Sequence, residues 1–229
     1  MNQDSIFGKA DYARAFLWNA YTKLYYGLPY YWAAYDEKKM NTGMFELLSD
    51  CWHSHNSWDG VNRLYYSGAY TAADEDGSRG DVRYNYIDDK AWSGIRAGWM
   101  FIENVDRVPD MDSAEKARLI AEAKVLIASR YFDMFRHFGG LPLVDKTYDV
   151  QAVYEVPRAT AAATVEFMVG LLDAAINEPE LPWSLGTDDS NWQGRFTKAA
   201  AMALKCKMLL FAASPLFNDS EPYSTESPQ

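Results

Sequence analysis

The sequence predicts an all-α fold with one long irregular region, and three observations carry that prediction. Apolar residues recur at three- and four-residue steps in five separate stretches, the period of one helix face. Each stretch closes on glycine or proline, and three of them open on Ser113, Thr160 or Thr197, residue types that cap free amides of a first helical turn. Residues 27 to 91 keep no period and are rich in Gly, Asn, Asp and Ser.

The elements follow in order. The first helix runs from Tyr12 to Tyr26, with Ala13, Phe16, Leu17, Ala20 and Leu24 on one side and Gly27 and Pro29 at its end. Residues 27 to 91 are mostly loop with short helical or turn segments, Gly43 to Leu48 among them. A second helix spans about Lys90 to Val108 and is closed by Pro109. The third begins at a Ser113 cap and reaches Phe138, with Ile120, Ala123, Ile127, Tyr131, Met134 and Phe138 forming one stripe. Leu119, Leu126 and Phe132 point elsewhere, so two neighbours are expected to cover this helix. Gly139 suits a left-handed cap and Pro142 forbids the helix from resuming. Thr160 caps a fourth helix whose stripe is Val165, Met168, Leu172, Ala175 and Ile176. Thr197 caps a fifth, ending near Ser214-Pro215, and 218 to 229 form a polar tail. Paired helices joined by irregular loops follow a tetratricopeptide-like plan.

Composition narrows the partners. The formal charge is -10, so a phosphate backbone or an anionic bilayer would be repelled, which argues against nucleic acid. No apolar run approaches the roughly 20 residues of a membrane-spanning helix. Two cysteines, Cys51 and Cys206, are too few for a disulfide framework. Aromatic residues make up 15% of the chain, with 16 Tyr, 11 Phe and 8 Trp. Tyr and Trp combine an apolar face with a polar edge, which suits a surface that must bind yet stay soluble.

Four ordered segments between residues 92 and 212 resemble signatures of the SusD/RagB family, the surface glycan-binding lipoproteins of Bacteroidota. They are Trp92-Ser93-Gly94-Ile95-Arg96 with Phe101 to Asp106; Ala121 to Leu126 running through Tyr131-Phe132-Asp133 into Gly139-Gly140-Leu141-Pro142; Arg158-Ala159-Thr160; and Gly194-Arg195-Phe196-Thr197-Lys198 to Lys205. The family usually carries an arginine after the leucine of the central helix, where this chain has Ile127, and a basic residue instead stands at Arg130. The resemblance implies that residues 1 to 229 are the N-terminal portion of a SusD-like domain. It further implies glycan binding without cleavage, no cofactor, delivery to a SusC-like TonB-dependent transporter, and a place at the outer-membrane surface. Attachment would be through a lipid anchor, and no signal peptide or lipid-attachment cysteine stands near Met1.

The candidate ligand site lies in the irregular region. Trp52, Trp58, Tyr65 and Tyr66 offer planar faces for the CH faces of sugars, and Asn56, Asp59 and Arg63 offer paired hydrogen bonds to sugar hydroxyls. Burial of such rings against the helices is the structural alternative for any one of them. Cys51, His53 and His55 alternate as possible metal ligands, but no recognised fourth-ligand spacing accompanies them, so no metal is expected. Asp74 to Arg79 lacks the closing glutamate of a calcium loop. The chain has 32 acids, and no pair is distinguished as glycosidase acid and nucleophile. Glu122 is expected to be a structural partner of Arg96 or Arg130 rather than a buried acid. The alternatives to a glycan binder are a helical glycoside hydrolase and a helical-repeat adaptor for proteins.

Overall fold

A computed structural model describes residues 3–24, 49–51, 53, 66, 68, 91–149, 154–186 and 192–218. The chain forms two compact units, one of Met1–Leu24 with Ala91–Gln229 and one of Tyr25–Lys90. The first holds α1 (Gln3–Ile6), α2 (Ala10–Tyr21), α3 (Ala91–Asn104), α4 (Ser113–Phe138), α5 (Ala161–Ile176), α6 (Lys198–Ala212) and α7 (Pro215–Asn218). Helices adjacent in sequence pack as neighbours: α3 on α4, α4 on α5 and α5 on α6, with α2 against α3 and α4. Among the described residues the only β pairing is an isolated bridge between Pro142 and Arg158.

The all-α expectation holds, and the deviations have local causes. Helix α2 starts two residues before the expected Tyr12 because Asp110, distant in sequence, accepts the Ala10 N–H at 2.7 Å. Its helical hydrogen bonding gives way to turns at Thr22 to Leu24, short of the expected Tyr26. The single turn of α1 is too short to show a period, and it is fixed by Phe7, buried against Phe16 and Phe101. The second predicted helix is α3 plus one 3-10 turn, Val105–Arg107, after which Val108 turns extended as a residue before proline must. The cap of α4 is Asp112 rather than Ser113: its carboxylate accepts the Glu115 N–H at 2.7 Å and adds a negative charge where the helix dipole favours one. Thr160 and Thr197 cap α5 and α6 as expected, accepting from Ala163 N and Ala200 N. The fifth helix ends at Ala212, and the expected tail overlaps α7 at Asn218, whose amide donates to the Ala212 and Ser214 carbonyls.

Helix α4 is the spine, covered on two sides as the stripe implied. Leu119, Ala123 and Leu126 enter one apolar cluster with Leu17, Phe101 and Val105. Val125, Tyr131, Phe132 and Phe135 enter a second with Met168, Leu172 and Met208. Phe138, expected in the stripe, is 46% exposed, since burial stops with Phe135. The departure at Ile127 is accommodated by a glycine opposite it. A Cβ on Gly98 would lie 2.6 Å from Ile127 Cγ1, so α3 and α4 approach closely only because Gly98 has none.

The turn after α4 explains its paired glycines. Gly139 has φ 68° and ψ −131°, a positive-φ region outside the left-handed helical one the sequence suggested, and equally one that favours glycine. A Cβ on Gly140 would lie 2.0 Å from the Ala159 carbonyl oxygen. Two glycines therefore do two jobs: one bends the chain and the other lets it touch residues 158–160. Arg158 Nε donates to the Gly140 carbonyl at 2.7 Å, Arg158 Nη2 donates to that of Phe138, and Ala159 N donates to Leu141 O at 3.1 Å. The Tyr131 hydroxyl donates to Pro142 O and accepts from Val144 N, which fixes the start of the outgoing segment.

Candidate functional site

Of the seven predicted ligand residues, Trp52, Asn56, Trp58, Asp59, Arg63 and Tyr65 lie outside the described residues, as do the predicted helical or turn segment at 43–48 and His55. Tyr66 is described. It is half-buried and stacks on His53 with ring centroids 4.4 Å apart and planes 18° from parallel. His53, weighed as a metal ligand, is thus in a stack with a ring. Cys51 is exposed, with its N–H on Ser49 Oγ at 3.2 Å. Among the described residues no three His, Cys, Asp or Glu side chains gather as a metal would need.

The helical unit has a buried polar cluster at Glu122. This carboxylate is wholly buried, which corrects the expectation that it is not a buried acid, and its partners are neither Arg96 nor Arg130. Glu122 Oε2 accepts from Arg195 Nε at 2.7 Å and from the Tyr21 hydroxyl at 2.8 Å, while Oε1 accepts from Arg118 Nε at 3.4 Å. Arg96 instead donates to the Tyr148 carbonyl at 2.6 Å, and Arg130 pairs with Asp133 at 3.1 Å. Sequence reasoning paired Glu122 with Arg96 or Arg130, and missed both Arg118, one turn back on the same helix, and Arg195, 73 residues away.

Trp192 completes the cluster. The Arg118 guanidinium lies 3.7 Å from its ring centroid and that of Arg195 lies 4.7 Å away. Flat guanidinium groups stack on such faces while donating from their edges to carboxylates. The Tyr21 hydroxyl also accepts the Phe196 N–H at 3.1 Å, so α2, α4 and the segment before α6 meet at one carboxylate. Burial raises the Glu122 carboxyl above its ordinary value against the opposing pull of Arg195, Tyr21 and Arg118. Burial, then the Glu122 charge, holds the Tyr21 hydroxyl well above its usual range, so it remains a donor at neutral pH. The cluster ties α2, α4 and the segment before α6 together as an internal clamp, while Arg118 Nη2 and Arg195 Nη2 are buried there with no hydrogen-bond partner among the described residues. The exposed rings of Trp18, Trp92 and Trp183 in the same unit were not among the predicted ligand residues, and of the three only Trp92 stood in a segment that carries the resemblance.

Comparison with solved structures places this helical arrangement. A SusD-like protein from Bacteroides fragilis is 25% identical, aligns with 90% of this chain and superposes with a TM-score of 0.63. The helical arrangement is SusD-like. A SusD-like carbohydrate-binding protein from Bacteroides fragilis, 21% identical over 90% of the chain, and a SusD homologue from Bacteroides thetaiotaomicron, 20% identical over 90%, share the fold at TM-scores of 0.62 and 0.65. The SusD-like relationship is partial in the other direction, since the chain spans 36%, 38% and 42% of those three proteins. No family model and no curated protein matches the sequence. Two of the segments that carry the resemblance, the central helix and the stretch from Gly194, are joined directly by the Glu122–Arg195 pair.

Proposed function

We propose that this chain is part of a surface glycan-binding protein that holds an oligosaccharide or polysaccharide without cleaving it and passes it to a TonB-dependent outer-membrane transporter. The observation that carries the reading is the match to a SusD-like protein across 90% of the chain. The aromatic residues of the 50 to 86 region, interleaved with Asn56, Asp59 and Arg63, support it, and the fold is shared with a carbohydrate-binding protein. In this reading Trp52, Trp58, Tyr65 and Tyr66 stack on sugar rings, and Asn56, Asp59 and Arg63 bind hydroxyls. Tyr66 in the His53 stack is the part of that platform whose geometry is described.

Retardation in native gels cast with a panel of soluble polysaccharides tests the binding. Trp58→Ala should abolish retardation and leave thermal unfolding nearly unchanged. Phe132→Ala, buried in the core and edge-on to Phe211, should cost about 3–5 kcal/mol of stability. A Trp58→Ala protein that folds and still binds would move the site elsewhere. New reducing ends after incubation with a retained glycan would make the protein a hydrolase. For delivery, the protein purified in detergent from its native membrane should carry a TonB-dependent transporter with it. Repeated isolation without one would end that part of the proposal.

A further inference from the structure

Tyr66 is half-buried and His53 is exposed, and their stack decides which of the two rings can meet a ligand. With centroids 4.4 Å apart and planes 18° from parallel, the rings touch face to face and leave no room for water between them. One face of Tyr66 is therefore closed by the imidazole. The same contact closes the inner face of His53, so its exposure belongs to its outer face and its two ring nitrogens. The turn before it, Ser49, Asp50 and Cys51, is also exposed, and it is held by the Cys51 N–H on Ser49 Oγ. The result is a flat ring face with polar groups at its rim, backed by a second ring.

We propose that His53 is the sugar-contacting ring of this platform, with Tyr66 beneath it as the residue that positions it. The inference rests on the glycan-binding reading above, and it gives His53 a role where its sequence spacing suggested only a metal ligand. A sugar ring lays the CH groups of one face on the outer face of the imidazole, which like other aromatic side chains pairs an apolar body with a polar edge. That edge keeps one N–H donor and one acceptor nitrogen, so it stays hydrated without ligand and bonds a hydroxyl of an adjoining sugar unit with one. Tyr66 contributes by pre-organisation. A lone imidazole on a loop turns freely about its side-chain bonds, and the ring beneath removes that freedom before the ligand arrives, which lowers the ordering cost of binding.

The chain has three histidines, His53, His55 and His137, so each can be followed singly. Native gels cast with soluble starch, laminarin or xylan pick out a retained polysaccharide, and its hexasaccharide is the probe. In proton–carbon correlation spectra the His53 Cε1–H signal, identified by its loss in His53→Ala, should shift in step with occupancy measured by calorimetry. Diethyl pyrocarbonate should modify His53 in the free protein, and hexasaccharide at ten times its Kd should slow that reaction about tenfold, since only unoccupied protein reacts. His53→Ala should weaken binding by about tenfold or more, while His53→Phe, which keeps a planar face, should retain most of it. Tyr66→Ala should weaken binding as well, and Tyr66→Phe should restore it. With retention intact, an unmoved His53 signal or a His53→Ala protein that binds like the parent would overturn this inference and leave the glycan reading standing. A His53 that resists modification without ligand would show another part of the protein on its outer face, and would overturn it equally. A parent chain retained by none of the polysaccharides would overturn both.

Discussion

Replacing Gly140 by alanine tests whether the turn after α4 is held by close backbone approach. The new Cβ would lie 2.0 Å from the Ala159 carbonyl oxygen and 2.9 Å from the Thr160 carbonyl carbon, both backbone atoms that no rotamer change can move away. Restoring ordinary contact requires the 158–160 segment to retreat by about 1 Å or more. Overpacking of this kind costs about 1–3 kcal/mol, and the retreat strains the Arg158–Gly140 and Ala159–Leu141 hydrogen bonds, worth about 1 kcal/mol each. The sum is about 3–5 kcal/mol. At about 2–4 °C per kcal/mol for a domain of this size, Tm should fall by roughly 6–20 °C. Gly170→Ala is the matched control. It sits on an exposed turn of α5 with nothing within 4 Å, so the same change should gain about 1 kcal/mol of helix propensity and raise Tm slightly. Thermal unfolding followed at 222 nm gives both values. A Gly140→Ala protein that melts within a degree or two of the wild type would refute the close-approach argument.

Other consequences are open to the same measurement. Gly98→Ala should destabilise by about 1–3 kcal/mol, and Ile127→Ala should cost less in that background than alone, because the added methyl partly fills the space it vacates. Additive effects would show that the two do not touch. Glu122→Ala leaves Arg195, Arg118 and Tyr21 without their shared acceptor and should cost about 3–5 kcal/mol by urea unfolding. The Glu122 carboxyl has a folded-state value above the 4.5 of its free form, so its contribution is complete below that value and is lost as pH rises through the raised one. The Tm of the wild type should therefore fall relative to Glu122→Gln as pH climbs from 4.5 toward neutrality. A flat difference would show that the arginines fully offset burial.

The elements with a complete local signal were legible in the sequence. Helices α5 and α6 carry an apolar period, their own threonine caps and a stop, and the expected caps are the ones that form. The spine α4 was legible from its period and its stop, down to its two covered sides, although its cap is Asp112 and not the expected Ser113. What escaped was supplied from a distance. The cap of α2 comes from Asp110, and the partner of Glu122 comes from Arg195, because neither partner shares a helical repeat with the group it serves. The function of Gly140 was hidden as well, since composition announces a turn but not which carbonyl the missing side chain makes room for. The candidate ligand residues were chosen by chemistry rather than by period, and only Tyr66 among them has a described position.

The helical unit is discontinuous in sequence: it ends its first stretch at Leu24 and resumes at Ala91. These two points lie side by side, for a Cβ on Gly94 would sit 3.4 Å from that of Lys23. The intervening residues thus form a closed excursion whose ends are fixed by the packing of α2 on α3. Closing such an excursion grows costlier only with the logarithm of its length, about 0.6 kcal/mol for each doubling. Insertions, deletions and wholesale replacement between residues 25 and 90 can therefore accumulate with little effect on the helices that anchor them. That stretch can be rewritten without rebuilding the scaffold.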